Sequence, residues 1–165
     1  RRRQRQMCIE TAHAVAFLDK LEGLDISRLG AYLRYHEAFS PKGTNANFAR
    51  ILSPGHIAIR TYERGVEDET LACGTGMTAC ALLHAVLTDA PSPIQVDVAG
   101  GDTLKVGFQR TGDRFTDVTL TGPADLVFTG DIQIKQLRPE KADSFPSGKL
   151  SVCLLYTSDA ADDGE

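Results

Sequence analysis

Met77 to Leu87 reads MTACALLHAVL, a run that is apolar on nearly every side of a helix. Such a helix is stable only when other structure encloses it. The chain supplies short strands to do so. His56–Tyr62 (HIAIRTY) alternates, with Ile57, Ile59 and Thr61 on one face and Ala58, Arg60 and Tyr62 on the other. Asn45–Leu52 precedes it across the Ser53-Pro54-Gly55 turn, which predicts a pair of strands. Further strands are expected over Cys8–Leu18, Ile94–Val98, Thr103–Phe108, Phe115–Thr121 and Leu126–Ile134. The Gly100-Gly101-Asp102 and Thr111-Gly112-Asp113 clusters suit hairpin turns. Leu24–Tyr35 has helical apolar spacing, with Ser27 as the expected N-cap. The pattern predicts an α+β chain of short strands wrapped around one buried helix.

With 165 residues, 42% of them hydrophobic and 24% charged, the chain suits one soluble domain with a real core. A net charge of −4 gives no reason to expect nucleic acid or an anionic membrane as partner. The basic Arg1–Arg5 run is expected to be a frayed or artefactual end, covering residues 1–7. No apolar stretch reaches the roughly 18 residues of a membrane span. No apolar segment of the secretory kind follows the basic start. Cys8, Cys73, Cys80 and Cys153 lack zinc-type spacing, so they read as reduced thiols of a cytoplasmic protein without a metal site. Residues 138–152 have the composition of a flexible tail. CLLYTSDAADDGE, from Cys153 to Glu165, resembles the translated end of a sequencing adapter and is expected to be foreign.

The chemistry concentrates in Tyr62–Gly76, YERGVEDETLACGTG. Cys73 opens a Gly-Thr-Gly turn that feeds the apolar helix. A helix N-terminus lowers a thiol pKa from about 8.5 to between about 3.5 and 7.5. Gly74 and Gly76 let backbone N–H groups approach a ligand, and Thr75 adds a hydroxyl at a cap position. The same N–H groups suit a carboxylate. An isolated CGTG is more often the mark of a buried structural cysteine, and Cys80, two turns on, reads as a core residue. Glu63 and Arg64 alone would be solvated surface charges, as would Glu67, Asp68 and Glu69 ahead of the helix. His84 reads as a core or helix-end residue.

YERG followed by ETLACGTG resembles the C-terminal half of diaminopimelate epimerase, with GTNANF (Gly43–Phe48) and VDVAGGDTLKV (Val96–Val106) resembling flanking segments. The resemblance runs from about His13 to about Ile134. It implies that residues 8–137 form one half of that fold: a mixed, largely antiparallel, barrel-like sheet around a central helix. It also implies a cofactor-free isomerase that converts LL-2,6-diaminoheptanedioate to the meso form with two cysteines on opposite faces of one carbon. Cys73 matches one of those thiols. Asn45, Glu63 and Arg64 match contacts to the distal amino-acid end of the substrate, and Gly74 and Thr75 match contacts at the helix N-terminus. His13 matches the histidine of a Pro-His pair, with Ala12 in place of the proline. Thr11 stands where the family has an asparagine ligand.

The family's first half carries a Cys-Gly-Asn-Gly motif with the partner cysteine, and no such motif occurs here. Cys8 lacks the glycines and the following helix. The chain is therefore expected to be a truncated fragment of the kind met at the ends of metagenomic reads. It would be inactive alone and need an N-terminal half-domain as partner. The family also implies pairing as a homodimer and a small amino-acid substrate. Two other classes stay open. One is a proline racemase-like or phenazine-pathway isomerase-like relative; the other is a non-catalytic anion-binding module.

Overall fold

The computed structural model describes residues 12–133 and 149–157. Two compact units are present, one ending at Pro123 and the other spanning Ala124–Thr157. In the first, β1 (His13–Phe17) is followed by α1 (Ile26–Arg34), a 3-10 turn (Glu37–Phe39), β2 (Asn45–Ser53), β3 (His56–Glu63) and β4 (Asp68–Thr70). Then come α2 (Gly74–Thr88), β5 (Ile94–Asp97), β6 (Thr103–Thr111) and β7 (Arg114–Thr121). These seven strands form one sheet in the order β1-β2-β3-β5-β6-β7, with β4 also on β3.

The sheet is mixed. β1 runs parallel to β2 and β3 parallel to β5, and the other pairs are antiparallel. Parallel neighbours need a crossover rather than a hairpin, and the helices supply both. α1 lies between β1 and β2 in sequence, and α2 between β3 and β5. One edge of β3 is shared: His56–Ala58 pair with Gln95–Asp97 of β5, and Thr61–Glu63 with Asp68–Thr70 of β4.

The crossovers pack on opposite faces of the sheet. Ala49 of β2 and Ile57 and Ile59 of β3 bury themselves with Met77, Cys80 and Ala81 of α2, and Ile94, Val96, Leu104 and Val106 complete that core. Ala46, Phe48 and Tyr62 face the other way, onto Leu21 and Ile26 beside and within α1. The alternation seen in HIAIRTY thus becomes two cores. α2 is the central helix, with Gly76, Met77, Cys80, Ala81, His84 and Ala85 buried. The sheet covers only one side of it, and Leu83, Val86 and Leu87 are exposed on the other.

Two local expectations change. The N-cap of α1 is Asp25, whose carboxylate accepts from Arg28 N at 3.0 Å. Ser27 lies inside the helix and donates to Asp68 Oδ1 at 2.6 Å. Aspartate caps as well as serine and adds favourable charge at the helix N-terminus. α2 begins three residues before Met77, at Gly74, so Cys73 is its N-cap and Thr75 its second residue. Leu71, just ahead of it, is exposed.

The second unit is a two-stranded antiparallel sheet of β8 (Ala124–Gln133) and β9 (Lys149–Thr157). β9 occupies residues assigned by composition to a tail and to foreign sequence. Cys8, Thr11 and the Arg1–Arg5 run lie outside the described residues, as do 134–148 and 158–165.

Candidate active site

One face of the sheet gathers the candidate residues. Asn45, Asn47 and Ala49 alternate with Ala46 and Phe48 along β2, and Ala49 belongs to the core beneath α2. Asn45 and Asn47 therefore lie on the α2 side. Thr61 and Glu63 share the face of Ile57 and Ile59 on β3. The register sets Asn47 opposite Thr61 and His13 beside Asn45. Thr44, Asn45, Asn47, Thr61 and Glu63 are all buried, a polar band in an otherwise apolar sheet.

Cys73 enters this band from α2. It is buried, with extended backbone, and Met77 N donates to its carbonyl at 2.8 Å, closing the first turn. Its Sγ lies 3.6 Å from Thr75 Oγ1, the residue exposed at the helix start. Gly74 is half-buried. Gly76 is required here, because a Cβ at that position would overlap Asn47 Oδ1 and sit 3.3 Å from Cys73 Sγ. The backbone N–H groups of the first turn have no partner within the helix and carry the positive end of its dipole. A thiol and an anion-binding turn thus coincide. Cys80 differs: burial first, and then the charge of Cys73, push its thiol up to about 12. It is inert core, as its position in the apolar run suggests.

At the other end of the band, Asn45 Oδ1 accepts from Arg64 N at 2.6 Å, and Asn45 N donates to Ala12 O at 2.9 Å. Arg64 Nη1 reaches Lys42 O at 3.5 Å. Asn45 thereby joins the turn before β2 to the loop after β3. The Glu63 carboxylate is buried and the Arg64 side chain half-buried, unlike a pair of solvated charges. Asn45, Glu63 and Arg64 are brought together; Cys73, Gly74 and Thr75 form a second group. Asn47, two residues from Asn45 along β2, touches both His13 and the first turn of α2. Consecutive same-face positions on a strand are about 7 Å apart, so a short strip of β2 spans the two groups.

Two features escaped sequence reasoning. Asn47 was read only as part of GTNANF, although Asn at i and i+2 of a strand signals two amides on one face. The Glu67–Glu69 run, read as solvated, is fully engaged. Glu67 accepts from Arg34 Nε and Nη2 at 3.1 and 3.0 Å, Tyr35 Oη at 2.9 Å, Gly65 N at 3.2 Å and Tyr62 Oη at 3.4 Å. Burial pushes its carboxyl up, but the Gly65 N–H, the Tyr35 hydroxyl and Arg34 outweigh this and hold it below its ordinary value. Asp68 is held low by Ser27, and Glu69 clasps Arg60 through two bonds of 2.6 Å. These carboxylates fix the loop after Arg64 to α1 and to β3.

His84 is buried in α2, where its Nε2 accepts from Gly55 N at 3.3 Å. Among the described residues no group of His, Cys, Asp and Glu side chains could hold a metal ion, and no helix is long and apolar enough to cross a membrane.

Residues 9–127 match the family model described as diaminopimelate epimerase. The chain is 44% identical over 123 residues to diaminopimelate epimerase of Chlorobaculum tepidum, covering 74% of this chain and 47% of that protein. It is 44% identical over 117 residues to diaminopimelate epimerase of Flavobacterium psychrophilum, covering 70% and 45%. The chain spans about half the length of the curated relatives it matches. Among solved structures, a probable proline racemase from Agrobacterium radiobacter K84 superposes with a TM-score of 0.47 at 14% identity, over 87% of this chain and 45% of that one.

Proposed function

Because this chain belongs to the diaminopimelate epimerase family, we propose that it carries one half of the site that converts LL-2,6-diaminoheptanedioate to the meso form. That reaction serves the supply of lysine and peptidoglycan precursors in the cytoplasm. The observation that carries the reading is Cys73 as the buried N-cap of α2, on the same sheet face as Asn45 and Glu63. In this reading Cys73 is one of two proton-transfer thiols. One of the two, as thiolate, takes the α-proton, while the other, as thiol, returns a proton to the opposite face of the same carbon. The amides of Gly74 and Thr75 hold the adjacent carboxylate, where negative charge grows as the proton leaves. Asn45, Glu63 and Arg64 grip the distal amino-acid end. His13, which pairs with Asn45, and Thr11 are further candidate contacts. No cofactor is needed, because the two thiols alone exchange the proton.

The second thiol belongs to a half-domain that this sequence does not contain, so the chain alone is inactive. The exposed Leu83, Val86 and Leu87 side of α2 is open to cover by such a partner, and pairing of two copies is a separate, testable association. An electrophilic diaminopimelate analogue should label Cys73 and leave Cys80 unmodified, as read by peptide mass spectrometry. Absent or equal labelling favours a non-catalytic anion-binding module. A measured LL-to-meso conversion by the purified chain would overturn the half-site reading.

A further inference from the structure

Asn47 is fully buried and uses both ends of its amide. Its Nδ2 donates to Ala14 O at 3.1 Å and lies 3.2 Å from His13 Nδ1, and its Oδ1 accepts from Thr61 Oγ1 at 3.0 Å. The Ala14 carbonyl can only accept, so the atom facing it must be the NH2 group. That group's second hydrogen is the one directed at the His13 ring. Nδ1 of His13 must then be the acceptor, which leaves the ring neutral with its proton on Nε2. The same Oδ1 sits against Gly76, where a Cβ would overlap it, in the turn that carries Cys73.

We infer that Asn47 is a positioning residue of the Cys73 site: it locks His13 as the neutral Nε2–H tautomer and seats the first turn of α2. The inference rests on the half-site reading only in calling this a reaction site; the hydrogen-bond logic does not depend on it. The strand supports the assignment. Asn47 lies directly opposite Thr61 and contacts β1, β3 and α2 from one side chain, and its amide cannot flip without setting Oδ1 against the acceptor-only Ala14 carbonyl. An apolar residue there would leave the Ala14 carbonyl without its side-chain donor and remove the amide that faces His13 Nδ1.

The test uses the chain itself with 15N-labelled histidine and long-range 1H–15N correlation at pH 8. Wild type should show His13 protonated at Nε2; a proton on Nδ1, or a mixture, overturns the inference. In Asn47→Asp the side chain only accepts, so the proton should move to Nδ1; retention on Nε2 overturns it. In Asn47→Ala the tautomer should become mixed. The rate of Cys73 alkylation by iodoacetamide should also change by about fivefold or more, the effect of one lost hydrogen bond. An unchanged rate in a folded variant overturns the seating of α2. Should neither variant fold, the wild-type tautomer still decides. If Cys73 ignores the diaminopimelate analogue while His13 is locked at Nε2–H, the functional reading fails and the inference about Asn47 stands.

Discussion

Removing Glu67 tests whether the loop after Arg64 is held by charge or merely lies on the surface. Five donors from Arg34, Tyr35, Tyr62 and Gly65 converge on its carboxylate. Hydrogen bonds to a charged group contribute about 1.5–3 kcal/mol when buried, and exposed ion pairs about 0–1. The Glu67 side chain is 34% exposed and that of Arg34 15%, so solvent screening brings the whole cluster to about 2 kcal/mol. Glu67 also sits at φ 61°, a left-handed conformation that costs a residue with a Cβ about 1 kcal/mol. The two effects separate by substitution. Glu67→Ala should destabilise the chain by about 2 kcal/mol, whereas Glu67→Gly regains the strain and should cost only about 1. Urea unfolding at pH 7 measures both.

The pH dependence follows from the same carboxylate. Its pKa is lower in the fold than its ordinary 4.5, so the unfolded chain binds the proton more readily. The stabilisation is complete above about pH 4.5 and is lost as pH falls through the folded value. The Glu67 hydrogen bond, first, and burial raise the Tyr35 phenol above its ordinary value. Glu67→Gln should therefore lower that phenol's titration in the ultraviolet. Equal stability of wild type, Glu67→Ala and Glu67→Gly, with an unmoved Tyr35, would refute the reasoning.

His84 gives a second pH window. Burial lowers its pKa below 6.5, so its contribution is complete above that pH and is lost as pH falls; His84→Gln should flatten the fall in urea midpoint just below pH 6.5. Cys80, pushed up to about 12, is about one part in ten thousand thiolate at pH 8. It should resist iodoacetamide in the native chain and react only in denaturant; rapid native labelling contradicts its buried role. Gly30→Ala would drive a methyl into the Tyr62 side chain. Overpacking costs about 1–3 kcal/mol against a helix-propensity gain of about 1, so a net loss of about 1 kcal/mol is expected in urea unfolding.

Much of the fold was legible in local pattern. The alternation of HIAIRTY gave β3 and its two faces, and the SPG turn gave its pairing with β2. CGTG ahead of an apolar run predicted the start of α2, because glycines and a change of period mark a boundary. The partners of Glu67–Glu69 are not legible in the sequence, because they lie at Arg34, Tyr35, Ser27 and Arg60, and no local rule reaches that far. Asp25 displaced Ser27 as a cap because both are good caps two residues apart. β9 lies in residues whose composition carries no strong strand signal.

The sequence by itself determined most of the element types, the two faces of β3 and the family. These follow from side-chain periodicity and from a motif whose residues are close in the chain. Beyond the hairpins, only the tertiary structure decided which strands are neighbours. Period two says that Asn45 and Asn47 share a face, but not that β1 lies parallel on one side and β3 antiparallel on the other. That pairing brings His13, Asn47, Thr61 and Gly76 into contact and turns a buried cysteine into part of a polar band. The physical reason is that strand partners are selected by long-range burial of whole faces, which no stretch of sequence expresses alone.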